Sequence, residues 1–246
     1  FGSIGFSSKS FCACLPYKTG DSGASADSSF DEVVIEKDGN TGINILTATN
    51  AIGAIMIGDS GSPTRGGFKY SNASDEILLT TGGDNTGLAI SAEGYVTKPL
   101  QPAVSTRLTG TQTNLATNSW TTLEFGYNTT EIFDRNADFT QASSTFTAPI
   151  TGLYLFCTTL NFESLDADCT YFQIQLSTSN RDYPILFGGN DWDADPTLKS
   201  YVHAMIADMD ANDTAIMRYY QQDGTAQADL RAEVALRGQR RQDGSK

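Results

Sequence analysis

The sequence predicts an all-β protein, and three observations carry that prediction. Twenty-three glycines and an abundance of Ser, Thr, Asn and Asp supply turn chemistry throughout the 246 residues. Short apolar runs of strand length recur between those turn clusters, and no long Leu/Lys/Glu-rich segment shows a helical period. Strict alternation then appears in the second half: Phe172, Ile174 and Leu176 share one side of a strand, with Gln173, Gln175 and Ser177 on the other. With 39% hydrophobic residues the chain is long enough for a sizeable core and for two compact units.

Residues 1–30, with the run TGDSGASADSS, have no periodicity able to bury a face and read as an arm or linker for attachment. Residues 31–103 form a β-rich stalk domain. Its runs VVIEKDGN, GINILTAT, AIGAIMIGDSGS, GGFKYSNASD, EILLTTGGDN, GLAISAEG and YVTKP each match a short strand closed by a Gly, Asn or Asp turn. Ile43 and Ile45 alternate with Asn44, as in a half-wet strand, whereas Ala54 to Ile57 is apolar on both faces. Strands this short need neighbours and a covered face, so further copies of the chain are expected to complete a three-chain stalk. The two prolines of KPLQPAVSTR favour an extended connector and place the boundary near residue 103, leaving residues 104–246 as the head.

Within the head, STFTAPITGLYLF encodes a corner. Phe146 and Ala148 share a face, Pro149 to Gly152 reverses the chain, and Tyr154 and Phe156 share a face of the next strand. Gly152 is expected to supply a turn conformation there. Tyr219 and Tyr220 follow Arg218 on another strand, so one ring points inward and the other outward.

The formal charge of −13 repels phosphate backbones and anionic lipid, which argues against a nucleic-acid partner. No apolar run approaches the ~18 residues of a bilayer span, so membrane insertion is not expected, and the start FGSIGFSSKSF lacks the layout of a secretory signal. That start is Phe rather than Met, consistent with processing or trimming. Cys12, Cys14, Cys157 and Cys169 read as free thiols, and with His203 as the sole histidine a zinc site is not expected. His203 has no triad partners and reads as a structural residue. Carboxylates such as Glu124, Glu131, Glu163 and Asp166 offer no preferred pair for glycoside cleavage, and phosphate-loop and dinucleotide fingerprints are absent. The expectation is a protein that is not an enzyme and uses no cofactor. In GGNDWDADP, Asp191, Asp193 and Asp195 present alternating oxygens suited to calcium, or simply a solvated acidic loop. Trp192 among them suits stacking on a sugar, or a ring packed into its own domain, and these four residues are the receptor-binding candidates.

The set Phe146, Ala148, Pro149, Gly152, Tyr154 and Phe156 resembles the F-x-A-P-x-x-G-x-Y-x-F signature of the globular head of complement component one-q and its tumour-necrosis-factor-like relatives. SYVHAMIADMDANDTAIMRYY, with Asp213 and Thr214 at its turn, resembles that family's later strands. SWTTLEFGYNTTEIFDRNADF resembles its early ones, with Phe133 and Asp134 matching a Tyr/Phe-Asp pair. The resemblance covers residues 107–228 and implies a ten-stranded jelly-roll sandwich that assembles as a homotrimer and serves as a recognition head. Some members of the family bind calcium. In such a trimer the outward ring of the Tyr219 and Tyr220 pair becomes a subunit-contact candidate. The end of the chain departs from the family: LRAEVALRGQRRQDGSK has Val234 and Leu236 for a last strand but lacks the usual aromatic, and Arg237, Arg240 and Arg241 make it basic.

Over residues 38–104 the pattern GINILTAT, RGGFKYSNASDEILLTTGG, LAISAEGYV and KPLQPAV is similar to the shafts of tailed-bacteriophage fibres. Together the two resemblances imply a virion fibre protein of a tail or head. Its trimeric head would adsorb to a host-surface glycan or protein, and its arm would join other virion proteins. A secreted adhesin or lectin using the same head is the alternative, and a polysaccharide depolymerase a more remote one.

Overall fold

The computed structural model describes residues 17–18, 20–30, 33–108, 110–125 and 133–232. The expectations for Cys12, Cys14, Glu131, Val234, Leu236 and the basic end lie outside the described residues. The chain divides into two compact units, residues 1–97 and 98–246. The KPLQPA connector therefore falls with the second unit, where the Arg135 guanidinium donates to the Lys98 carbonyl (3.2 Å) and the Asn136 amide to the Leu100 carbonyl (3.4 Å).

In the first unit Tyr17–Lys18 (β1) and Ile35–Glu36 (β2) form a short parallel pair, so the arm is tied to the following chain partway along its length. Ile52–Asp59 (β3), Ser62–Ser71 (β4), Glu76–Thr81 (β5), Asn85–Ile90 (β6) and Val96–Thr97 (β7) make an antiparallel meander in sequence order. Gly82 and Gly83 take positive φ in the turn between β5 and β6, where an L side chain would be strained. Directly opposed pairs place Ile55, Phe68, Leu79 and Leu88 in one row across the sheet. Most of that row is exposed, and Thr80 is the one buried residue among those described in this unit. The segment around Ile43 and Ile45 is not a strand, contrary to its alternation. It has no ladder partner and is instead held by the Asn72 amide, which donates to the Thr47 hydroxyl (2.7 Å) and the Ala48 carbonyl (3.0 Å).

The second unit contains Ala103–Ser105 (β8), Thr121–Thr122 (β9), Phe133–Arg135 (β10), Phe139–Thr140 (β11), Thr145–Thr147 (β12), Gly152–Glu163 (β13), Tyr171–Thr178 (β14), Asp182–Gly188 (β15), Lys199–Met209 (β16), Thr214–Gln222 (β17) and Asp229–Leu230 (β18). One sheet runs β11-β12-β17-β14-β15, with β9 on the β12 side of β17; the other runs β16-β13-β18. β8 pairs with β10 apart from both. From β12 onward the chain crosses repeatedly from sheet to sheet, which is the jelly-roll wiring of a two-sheet sandwich.

The corner sequence carries the first crossing. β12 belongs to the larger sheet and β13 to the smaller, so residues 148–151 bridge the layers. The Tyr154 hydroxyl donates to the Ile150 carbonyl at 2.6 Å and pins that bridge, while its ring lies 5.4 Å from Phe146. Phe156 meets Phe146 edge-on at 5.6 Å. Gly152 departs from expectation: its φ is not left-handed, and a Cβ there would meet only the Tyr154 ring at 4.0 Å.

Between the sheets the core is aromatic. Phe172 lies 4.8 Å from Phe187, 5.4 Å from Tyr201, 6.0 Å from Tyr219 and 6.4 Å from Phe162, each measured between ring centres. Burying a ring of this size contributes about 2–3 kcal/mol by area. The opposite side of β14 is drier than its glutamines imply. Gln175 is buried, because β14 is a central strand flanked by β15 and β17, and its neighbour Gln173 donates to its side-chain oxygen at 2.9 Å.

In chemical denaturation Phe172→Ala is expected to lower stability by about 3–5 kcal/mol through the cavity it leaves. Gly152→Ala is expected to shift it by less than about 0.5 kcal/mol, because neither its φ nor its space demands glycine. A large loss in Gly152→Ala would refute this reading of the corner.

Candidate functional site

The acidic loop proposed for recognition is anchored to its neighbours. A 3-10 turn, Gly189–Asp191, leads out of β15, and a Cβ on Gly189 would lie 1.8 Å from the Cys169 carbonyl oxygen, so only glycine permits that approach. Asp195 accepts the Ala167 N–H at 2.8 Å and is thereby committed to loop geometry. Asp191 and Asp193 are exposed, and among the described residues no group of three or more His, Cys, Asp or Glu side chains converges to hold a metal ion. The Trp192 ring turns inward and stacks on Phe172 at 5.6 Å and 27°. Half-buried against the core, it offers little free face for a sugar.

Asp166, in the sequence only one acid among several, organises the same end of the sandwich. Its carboxylate is buried and accepts N–H groups from Thr225, from Ala226 (2.7 Å) and from Asp168 (2.8 Å). Burial alone would raise its pKa, but the N–H groups of Ala226, Asp168 and Thr225 outweigh that and hold it below the ordinary carboxylate value. Gly224 sits beside it with φ of +91°. Loops 164–170, 189–195 and 223–226 are thus joined by carboxylate-to-backbone bonds, a rigid platform whose exposed charge is acidic.

The remaining candidates separate cleanly. Tyr219 is sealed in the core, its hydroxyl donating to Gln221 at 2.9 Å, so it contacts its own chain and not a subunit neighbour. Tyr220 stands on the outer side of the larger sheet beside Trp120 (5.2 Å) and Tyr171 (6.0 Å), with the Arg218 guanidinium 4.8 Å over the Trp120 ring. Phe133 is exposed, and Asp134 accepts the N–H groups of Asp138 (3.0 Å) and Phe139 (2.9 Å). Cys157 is exposed and Cys169 buried, and both are free; burial pushes the Cys169 thiol up to about 11.

His203 ties the edge strands of the two sheets together. Its Nε2 lies 3.0 Å from the Tyr183 carbonyl, and its buried Nδ1 has no partner. Burial lowers its pKa, against a smaller opposing effect of the Tyr183 carbonyl. At the same edge Asp208 accepts from the Tyr183 hydroxyl (3.0 Å) and from Arg181 (2.7 Å).

One unassigned surface is apolar. Along the outer side of β13 and β16, Leu153 (77% exposed), Leu155 (73%), Val202 (64%) and Ile206 (62%) stand in the open, with Cys157 and Ala204 paired between them. Leu155 opposes Ile206 and Thr159 opposes Val202, so the residues form a contiguous face. Its signal was present in the sequence as alternation in which both sides of GLYLFCTTL are apolar.

Two measurements check these assignments. Because the native His203 pKa is depressed, the unfolded chain binds that proton first. Stability is therefore full above about pH 6.5 and declines as pH falls below it. The decline between pH 7 and 5 should shrink in His203→Gln, and an identical slope would discount the buried ring. Asp166→Ala leaves three N–H groups without an acceptor and is expected to cost about 3 kcal/mol, with protease cutting appearing near residue 225.

No protein-family model matches the sequence, and no curated protein matches it. Among solved structures the chain is similar to one described as the globular domain of zebrafish complement 1qA protein. The two are 15% identical with a TM-score of 0.38, over 55% of this chain and 98% of that one.

Proposed function

We propose that this chain is a non-enzymatic fibre subunit of a tailed-phage particle, three copies of which form a recognition head that adsorbs to a host-cell surface. The observation that carries the reading is the open apolar face of β13 and β16. Contiguous apolar patches of this kind mark association surfaces, and an identical face on every copy closes naturally about a rotation axis. A second copy suits it better than an unrelated partner, because the four large aliphatic side chains carry no charge and the carboxylate opposite Leu153, Asp208, is already engaged by Arg181 and the Tyr183 hydroxyl. The first unit, considered by itself, repeats the pattern: its row of Ile55, Phe68 and Leu79 is exposed in the single chain, as expected of strands completed by neighbouring copies.

Threefold presentation raises weak single-site contacts with a repetitive host surface, provided the sites engage together. The acidic platform of loops 164–170, 189–195 and 223–226 presents Asp191 and Asp193 to solvent and is the part of the head offered for recognition, with calcium as an optional ligand. The particle surface is the corresponding location.

Sedimentation of the purified chain should give three times its 26.4 kDa mass. Leu155→Lys should give monomers that keep the β-sheet circular dichroism, since a charge on that face is buried only by assembly. A monomeric wild type at micromolar concentration would sink the trimer. Purified trimer should also compete with the particle for adsorption to its host, and undiminished adsorption at saturating protein would remove the recognition role.

A further inference from the structure

The outer side of the larger sheet carries an aromatic and polar surface apart from the acidic loops. On β14 the alternation that sends Phe172 and Ile174 inward sends Tyr171, Gln173 and Gln175 outward, and on β17 Arg218 and Tyr220 share that side. Thr122 of β9 lies opposite Arg218, and Trp120, two residues earlier, meets Tyr220. The rings of Trp120, Tyr220 and Tyr171 form a continuous strip, with neighbouring centres 5.2 and 6.0 Å apart. Trp120 is 36% exposed and both tyrosines are half-buried, so the strip runs along the sheet and remains open to solvent.

The polar groups around the strip are held in place, and two of them lack an acceptor. The Tyr220 hydroxyl donates to the Gln222 side-chain oxygen, and the Gln173 amide to that of Gln175, each at 2.9 Å. Gln175 is only 2% exposed, yet its Nε2 has no partner. Directly opposite it on β17 is Arg218, whose guanidinium lies 4.8 Å over the Trp120 ring and forms no ion pair with a described carboxylate. The row through these two residues reads Thr122, Arg218, Gln175 and Pro184, and the next reads Tyr220, Gln173 and Leu186. Neither row holds a carboxylate, although the chain carries a net charge of −13; Glu124, Asp182 and Asp223 fall in other rows.

We propose that this face binds an acidic saccharide, a sugar chain bearing uronate or sialate carboxylates. A guanidinium and an amide that sit side by side without an acceptor complement a carboxylate, which arginine takes with two parallel bonds. The apolar C–H face of a sugar ring packs on the aromatic strip, and its hydroxyls meet the side-chain amides of Gln173 and Gln222. Stacking on Trp120 fixes the guanidinium beforehand, which lowers the entropy lost on binding. A single cation cannot follow the successive phosphates of a nucleic acid, and a strip lying along the strands offers no socket for the buried anchor of a protein partner. The site adds to the loop platform and does not depend on the fibre reading, so its failure would leave the sedimentation result untouched.

Trp120 and Trp192 are the two tryptophans of the chain, so in Trp192→Phe the remaining fluorescence reports Trp120 alone. Titration of that protein with a polygalacturonate oligomer or a sialic acid polymer should change the emission, whereas neutral dextran and polyglutamate should not. Calorimetry on the otherwise unaltered chain should show Arg218→Gln and Trp120→Ala each weakening the acidic sugar about tenfold or more, with Tm measured alongside to confirm folding. No response to either acidic sugar would overturn the proposal. An equal response to dextran would remove the carboxylate from it, and an equal response to polyglutamate would assign the face to an acidic protein instead. Binding undiminished in both folded variants would place the sugar elsewhere and equally overturn it.

Discussion

A β-sheet has two faces and two edges, and this structure is governed by which of them are covered. In the second unit, one face of each sheet is dry because Phe162, Phe172 and Tyr219 meet between the layers. Everything else in the unit is arranged around that contact. The corner at residues 148–151 exists to carry the chain from one layer to the other, and His203 and Asp208 stitch the layers together where their edge strands come near. Among its described residues the first unit shows no second layer, which is why almost none of them is buried.

The same constraint underlies the proposed function. A face that is apolar and uncovered in the single chain calls for a partner, and the simplest partner that fits every copy is another copy. On the proposed reading, assembly and recognition would fall to different parts of the second unit: aliphatic side chains on strands for the first, polar loops for the second. The loops are held by carboxylates that bond backbone N–H groups, notably Asp166 and Asp195, so much of the acidic character of that end is structural reinforcement. A rigid loop platform costs less conformational entropy on binding than a mobile one.

Much of the sandwich was legible in the sequence because strand periodicity is local. The alternation in Phe172, Ile174 and Leu176 requires only neighbouring residues, and all three are buried as it predicts. The corner was readable for the same reason, since proline and apolar parity act within a few positions. Gly152 departs from its expectation because a glycine beside a chain reversal suggests a conformational need that its φ does not show. Ile43 and Ile45 failed as a strand for want of a ladder partner, a property no local window contains.

By itself, the sequence determined the strand class, the inward side of the strands around Phe156 and Phe172, a chain reversal starting at Pro149 and the net acidic charge. These follow from side-chain volume, charge and backbone preference residue by residue. Only the tertiary structure decided that Trp192 packs inward on Phe172, that Asp166 anchors a loop some sixty residues away, and that His203 reaches the Tyr183 carbonyl across the two sheets. Each of those depends on which distant segments become neighbours, and a contact made across the fold leaves no signature at either of its ends.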